Sequence, residues 1–89
     1  MKLFLKLYGR VQGVFLRSMI QEKAQELSLN GWAKNCYDGT VELEAEGERK
    51  DLEKLIAWLK KNPGYSQIDK IDTNWQTGEG RYEGFEIVY

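Results

Sequence analysis

A chain of 89 residues with 42% hydrophobic and 30% charged side chains can bury one core and has no room for a second. Residues 1–89 are therefore expected to form a single domain. A formal net charge of −1 excludes a general pull toward nucleic acid or an anionic membrane, so any anion site must be built locally. Histidine is absent, which excludes Ser-His-Asp and Cys-His catalysis, histidine phosphoryl relay and most zinc sites. Cys36 is the only cysteine, so no intrachain disulfide forms and a reducing, cytoplasmic location is expected. Lys6, Tyr8 and Arg10 interrupt the apolar start too early for a secretory signal. No stretch reaches membrane-spanning length, so no membrane association is expected.

Lys2 to Tyr8 alternates, with Leu3, Leu5 and Leu7 on one face and Phe4, Lys6 and Tyr8 on the other, the pattern of a half-buried strand. Gly9 to Arg17 follows, a two-glycine turn leading into a helix, where backbone N–H groups can converge on an oxyanion. Arg17 admits two readings. A cation in the first helical turn opposes the macrodipole by about 0.3–1 kcal/mol, which asks for an anion beside it. Alternatively the helix starts at Ser18, with Ser18 and Gln21 as a capping box and Arg17 outside. Leu16, Ile20, Ala24 and Leu27 then place one stripe on a helix running to about Ser28, with Asn30-Gly31 as its stop.

Gly31 to Tyr37 is a second strand, joined through the hairpin signal Asp38-Gly39 to a third over Thr40 to Glu46. In the third, Val41, Leu43 and Ala45 share the apolar face and Thr40, Glu42, Glu44 and Glu46 the polar one. That carboxylate row reads as a solvated sheet face, because alternate residues on one strand do not close a metal shell. Gly47 opens a second helix with Leu52, Leu55, Ile56 and Leu59 on its stripe, ended by Asn62-Pro63-Gly64. Trp58 is read as a packing or rim residue. Ile68 and Ile71 in the fourth strand, over Ile68 to Trp75, differ in parity, which a bulge would reconcile. Thr77 to Glu83 reads as a hairpin loop, and Phe85, Ile87 and Tyr89 share one face of the last strand.

The order β-α-β-β-α-β plus a short C-terminal strand predicts an α+β, ferredoxin-like sandwich: a mainly antiparallel sheet with two helices packed on one face. Within it Asn35 shares parity with Gly31 and Ala33. Its amide suits the orientation of a water, or it simply begins the Asp38-Gly39 turn and bonds local backbone. A covalent route through Cys36 lacks both an activating histidine and an arginine at the short spacing of cysteine phosphatases. Arg10 reads as a solvated or rim residue.

The run Gly9-Arg10-Val11-Gln12-Gly13-Val14-Phe15-Leu16-Arg17 resembles the acylphosphatase family, as do Leu29-Asn30-Gly31-Trp32-Ala33-Lys34-Asn35, Asp38-Gly39-Thr40-Val41-Glu42 and Gly84-Phe85-Glu86-Ile87. Leu16 stands where the family usually has Phe, Tyr8 where it often has His, and Ala33 where it often has Val. The resemblance implies the same fold and the hydrolysis of acyl phosphates to carboxylate and inorganic phosphate by in-line attack of water. It implies that Asn35 positions that water. On this reading the main-chain N–H groups of Gln12, Gly13, Val14, Phe15 and Leu16 bind the phosphate with the Arg17 guanidinium, and neither metal nor cofactor is needed. The expected partners are a small acyl phosphate and inorganic phosphate as product or inhibitor, without nucleic acid and with the protein a monomer. The alternative is a ferredoxin-like module that binds phosphate or nucleic acid without catalysis, with Phe4 and Tyr8 on the sheet face as base-stacking platforms.

Overall fold

Side-chain alternation along the first strand, β1 (Lys2–Arg10), decides which layer each residue joins. Leu3, Leu5 and Leu7 are fully buried, while Phe4, Lys6 and Tyr8 lie on the opposite, half-exposed face. The computed structural model describes residues 1–78, 80 and 82–89. In it β1 is followed by α1 (Leu16–Glu26), β2 (Asn30–Asn35), β3 (Val41–Glu46), α2 (Arg49–Leu59), β4 (Gln67–Gln76) and β5 (Phe85–Val88). The strands form one sheet in the order β4-β1-β3-β2-β5. All pairings are antiparallel except β2 with β5, so the sheet is mainly antiparallel as the element order implies.

One core joins the inner face of the sheet to both helices. Leu16, Ile20 and Ala24 of α1 and Leu52, Leu55 and Leu59 of α2 meet Leu3, Leu5, Leu7, Ala33, Val41, Leu43 and Ala45. Both helices therefore cover one face, in the ferredoxin-like plan. Trp58 packs half-buried against this core.

Local chemistry moves several boundaries. β1 runs on through Gly9 and Arg10, because the β1–β4 register skips Asp69: Tyr8 pairs with Lys70 and Gly9 with Ile68. This is the bulge that the mismatched parity of Ile68 and Ile71 calls for, and it brings both to the half-buried side. Gly9 is required there, since at φ 121° a Cβ would collide with the Gln67 carbonyl oxygen.

Helix α1 does not stop at Asn30-Gly31. It closes at Ser28, which takes φ 57°, with its N–H donating to Gln25 O (3.1 Å) and the Leu29 N–H to Ala24 O (2.8 Å). That Schellman closure frees Asn30 and Gly31 to begin β2, which ends at Asn35 rather than Tyr37. Helix α2 starts after Glu48, two residues later than Gly47.

The reading of Thr77 to Glu83 as a hairpin loop is overturned. Glu79 and Arg81 of that segment lie outside the described residues, but its flanking strands stand on opposite edges of the sheet. β5 pairs in parallel with β2, where Phe85 reaches the core and Gln21 Nε2 donates to the Phe85 carbonyl at 2.9 Å. Burial of Phe85 beside α1 outweighs the local turn signal.

Candidate active site

The turn between β1 and α1 is anchored at both ends by buried side chains, Val11 and Leu16. Between them Gly13 takes φ 73° and Phe15 φ 60°, ψ 20°. These two left-handed residues, two positions apart, have the backbone hand that anion-binding nests combine with right-handed neighbours. Phe15 is the N-cap of α1 and gives no side-chain cap bond, so the reading of Ser18 and Gln21 as a capping box is overturned. Ser18 lies exposed two residues inside α1, and Gln21 spends its amide on β5. The first backbone bond of the helix is Met19 N–H to Phe15 O at 3.2 Å. Among the described residues, no backbone carbonyl accepts from the amides of residues 12–18.

No acidic side chain stands in the first turn of α1, which carries Arg17 instead. The guanidinium lies 4.9 Å from the centroid of the Tyr89 ring, and no carboxylate among the described residues pairs with it. A helix N-terminus and a cation thus face the same space without a balancing charge, the condition under which an anion binds.

Asn35 reaches that space from the other side. It is the last residue of β2, opposite Val41 and in line with buried Ala33, and its own side chain is exposed. The turn after it closes without its amide. Cys36 N–H donates to Thr40 O (2.9 Å), Gly39 N–H to Cys36 O (3.1 Å), and Thr40 N–H to Asp38 Oδ1 (3.1 Å). The reading of Asn35 as a local turn-former therefore loses its bond.

A cleft of about 410 Å³ holds these groups together: Gly13, Phe15, Leu16, Arg17 and Asn35 line it, with Val11, Ser18, Ile87 and Tyr89. Gln12 and Val14 belong to the same turn but do not line the cleft. Gln12 has a different use, which its position in a glycine turn does not reveal. Its Nε2 donates to both Cys36 O (2.7 Å) and Thr40 O (2.9 Å), strapping the turn to the hairpin that follows Asn35. Tyr89 and Ile87 were legible as one strand face, but not as a wall of this cleft. Arg10 is exposed at the end of β1 and Cys36 is half-buried, and neither lines the cleft.

Leu16, Tyr8 and Ala33, the three departures from the family pattern, spare the polar groups of the cleft. Leu16 and Ala33 face the core. Tyr8 lies on the far side of the sheet, where its hydroxyl donates to Asp72 Oδ2 at 2.9 Å. Its ring sits between Lys6 and Lys70, with Nζ atoms 5.8 and 4.9 Å from the centroid, and Phe4 meets Trp32 edge-on at 6.5 Å. These aromatics are engaged within a face crossed by ion pairs, which does not favour the base-stacking alternative.

On that face Glu44 pairs with Lys2 (3.3 Å), and Glu42 with Lys6 (3.7 Å) and Lys34 (3.9 Å). The carboxylate row is thus a lysine-paired sheet face, with one exception. Glu46 is buried and accepts the Tyr82 N–H at 2.8 Å. Among the described residues, no three of His, Cys, Asp and Glu come close enough to hold a metal ion, and no helix is long and apolar enough to cross a membrane.

Comparison with known proteins identifies the family. The chain is 39% identical over 84 residues to an acylphosphatase of Thermococcus kodakarensis, covering 94% of this chain and 91% of that one. It is 44% identical over 80 residues to an acylphosphatase of Acaryochloris marina, covering 90% and 85%. The crystal structure of acylphosphatase from Bacillus subtilis superposes with a TM-score of 0.94 at 33% identity, covering 99% and 98%. With the acylphosphatase family model matching residues 3–87, from the first strand to the last, the chain belongs to the acylphosphatase family and is an enzyme that hydrolyses acyl phosphates to carboxylate and inorganic phosphate.

Proposed function

We propose that this hydrolysis is carried by Arg17, Asn35 and the amides of the turn before α1, acting on the phosphoryl group without a metal or cofactor. The observation that supports it is the convergence of Arg17, a helix N-terminus and Asn35 on one cleft. The main-chain N–H groups from Gln12 to Leu16 are the phosphate donors on this reading. Those of Gly13, Phe15 and Leu16 belong to residues that line the cleft. Arg17 leaves the Tyr89 ring and forms a fork of N–H bonds to two phosphoryl oxygens.

The substrate makes few further demands. Its leaving group is a carboxylate, whose conjugate acid has a pKa of roughly 4.3, so it departs without a proton donor. Phosphoryl transfer then depends on position and countercharge, which amides and a guanidinium supply. Asn35 accepts from the attacking water through its side-chain oxygen and sets it in line with the bond that breaks. The water's proton passes to a substrate oxygen. On this reading the protein is a monomer in the cytoplasm, without nucleic acid or membrane; the lone Cys36 supports the location and the net charge of −1 the lack of nucleic-acid and membrane partners.

Hydrolysis of benzoyl phosphate by metal-stripped protein, followed by its loss of absorbance, tests this. Arg17→Ala is expected to lower kcat/KM at least ~10²–10³-fold, the range for removing a donor to developing charge. Asn35→Ala is expected to lose turnover by a similar factor while inorganic phosphate still inhibits. Wild-type turnover that appears only on adding a metal, or full activity in either variant, overturns the corresponding assignment.

A further inference from the structure

We propose that Phe15 is the acyl-side contact of this cleft, so that the enzyme favours acyl phosphates whose acyl group is apolar and planar. The proposal rests on the reading of Arg17 and the turn amides as the phosphate seat. Phe15 is an aromatic residue that is 81% exposed, so core packing does not account for it. Its φ of 60° lies where a bulky side chain is strained and a glycine would not be, so backbone conformation does not account for it either. As the N-cap of α1 it makes no side-chain bond to the helix. Strained residues persist where surrounding structure and function hold them, and this one lines the cleft that contains Arg17 and Asn35.

The rest of the lining points to the same ligand chemistry. Arg17 is the only charged side chain among the lining residues, and the phosphoryl group occupies it. The acyl group therefore meets Phe15, Ile87 and Tyr89, an exposed residue. An acyl group carrying a second negative charge finds no partner there. An aromatic one finds rings to stack on, and contacts of that size discriminate by about tenfold or more.

The test compares kcat/KM for benzoyl phosphate and acetyl phosphate in the wild type, Phe15→Asn and Phe15→Tyr. Asparagine tolerates the positive φ and removes the ring. The benzoyl-to-acetyl ratio is expected to fall about tenfold in Phe15→Asn and to stay within about twofold of wild type in Phe15→Tyr. An unchanged ratio in Phe15→Asn, whether both rates fall together or neither does, overturns the proposal. A second measurement needs no variant: phenylphosphonate is expected to inhibit wild-type hydrolysis of acetyl phosphate about tenfold more strongly than methylphosphonate, and equal inhibition overturns the proposal. Failure of the wild type to hydrolyse either acyl phosphate removes the phosphate-seat reading itself, and this inference with it.

Discussion

Asp38 shows how much a single side chain in this fold is asked to hold. Its Oδ1 accepts from the Thr40 amide (3.1 Å) and the Thr40 hydroxyl, and its Oδ2 faces Lys6 Nζ at 3.2 Å. The Thr40 hydroxyl first, then the Thr40 amide and Lys6, hold the carboxyl down from 3.8 to about 2. A folded pKa below the unfolded one means stability that is fully present above about pH 4 and lost as pH falls through about 2. Thr40→Val is expected to return the Asp38 titration toward 3.8, followed by NMR of the carboxyl carbon, and to move acid unfolding to higher pH. An Asp38 titration that stays near 2 would show that the hydroxyl is not the cause. The Asp-Gly turn was legible from two adjacent residues. Lys6 as its partner was not, because β1 and the turn meet only after β1 pairs with β3.

Between elements, Gln12 couples the turn before α1 to the hairpin at the end of β2. Its two amide protons satisfy two carbonyls on either side of the hairpin turn, and Asn35 immediately precedes the first of them. Gln12→Leu removes one of the two donors to each carbonyl, leaving the Gly39 and Cys36 N–H groups in place, and is expected to cost about 1–3 kcal/mol in urea unfolding, the net worth of two hydrogen bonds. It is also expected to lower kcat for benzoyl phosphate by at least about tenfold, since small misplacements of positioning groups are costly. Lost stability with unchanged kcat would make the strap purely structural. Nothing local in the sequence announces this contact, whose partners lie 24 and 28 positions away. Helix α1 and strand β3, by contrast, were legible because burial follows a period, 3.6 or 2, that neighbouring residues reveal.

Across the whole molecule, the central strands carry the layer on which the site rests. Leu43 on β3 is fully buried, faces Leu5 and Ala33 across its two pairings, and does not line the cleft. Leu43→Ala is expected to lower unfolding free energy by about 2–5 kcal/mol, measured in urea, with activity per folded molecule retained. A loss below about 1 kcal/mol would mean that the core collapses around the gap. The sheet order also decides what stands at the cleft. With β5 beside β2 rather than beside β4, Ile87 and Tyr89 come to the mouth next to Arg17.

The roles of Arg17 and Asn35 are what the family resemblance implies, whereas residue types and their spacing by themselves determined the α+β plan, the buried faces of β1, α1, β3 and α2, and the two-glycine turn before α1. Those features are local: a helix stripe, a strand face and a glycine turn are each set by residues within a few positions of one another. Only the tertiary structure decided that β5 crosses to the far edge, that Gln12 straps two loops, that α1 begins at Leu16 with Phe15 exposed before it, and that Tyr89 lies beneath Arg17. Each of these is a choice among partners distant in the chain, settled by which arrangement buries Phe85 and the leucine faces while leaving few polar groups unpaired.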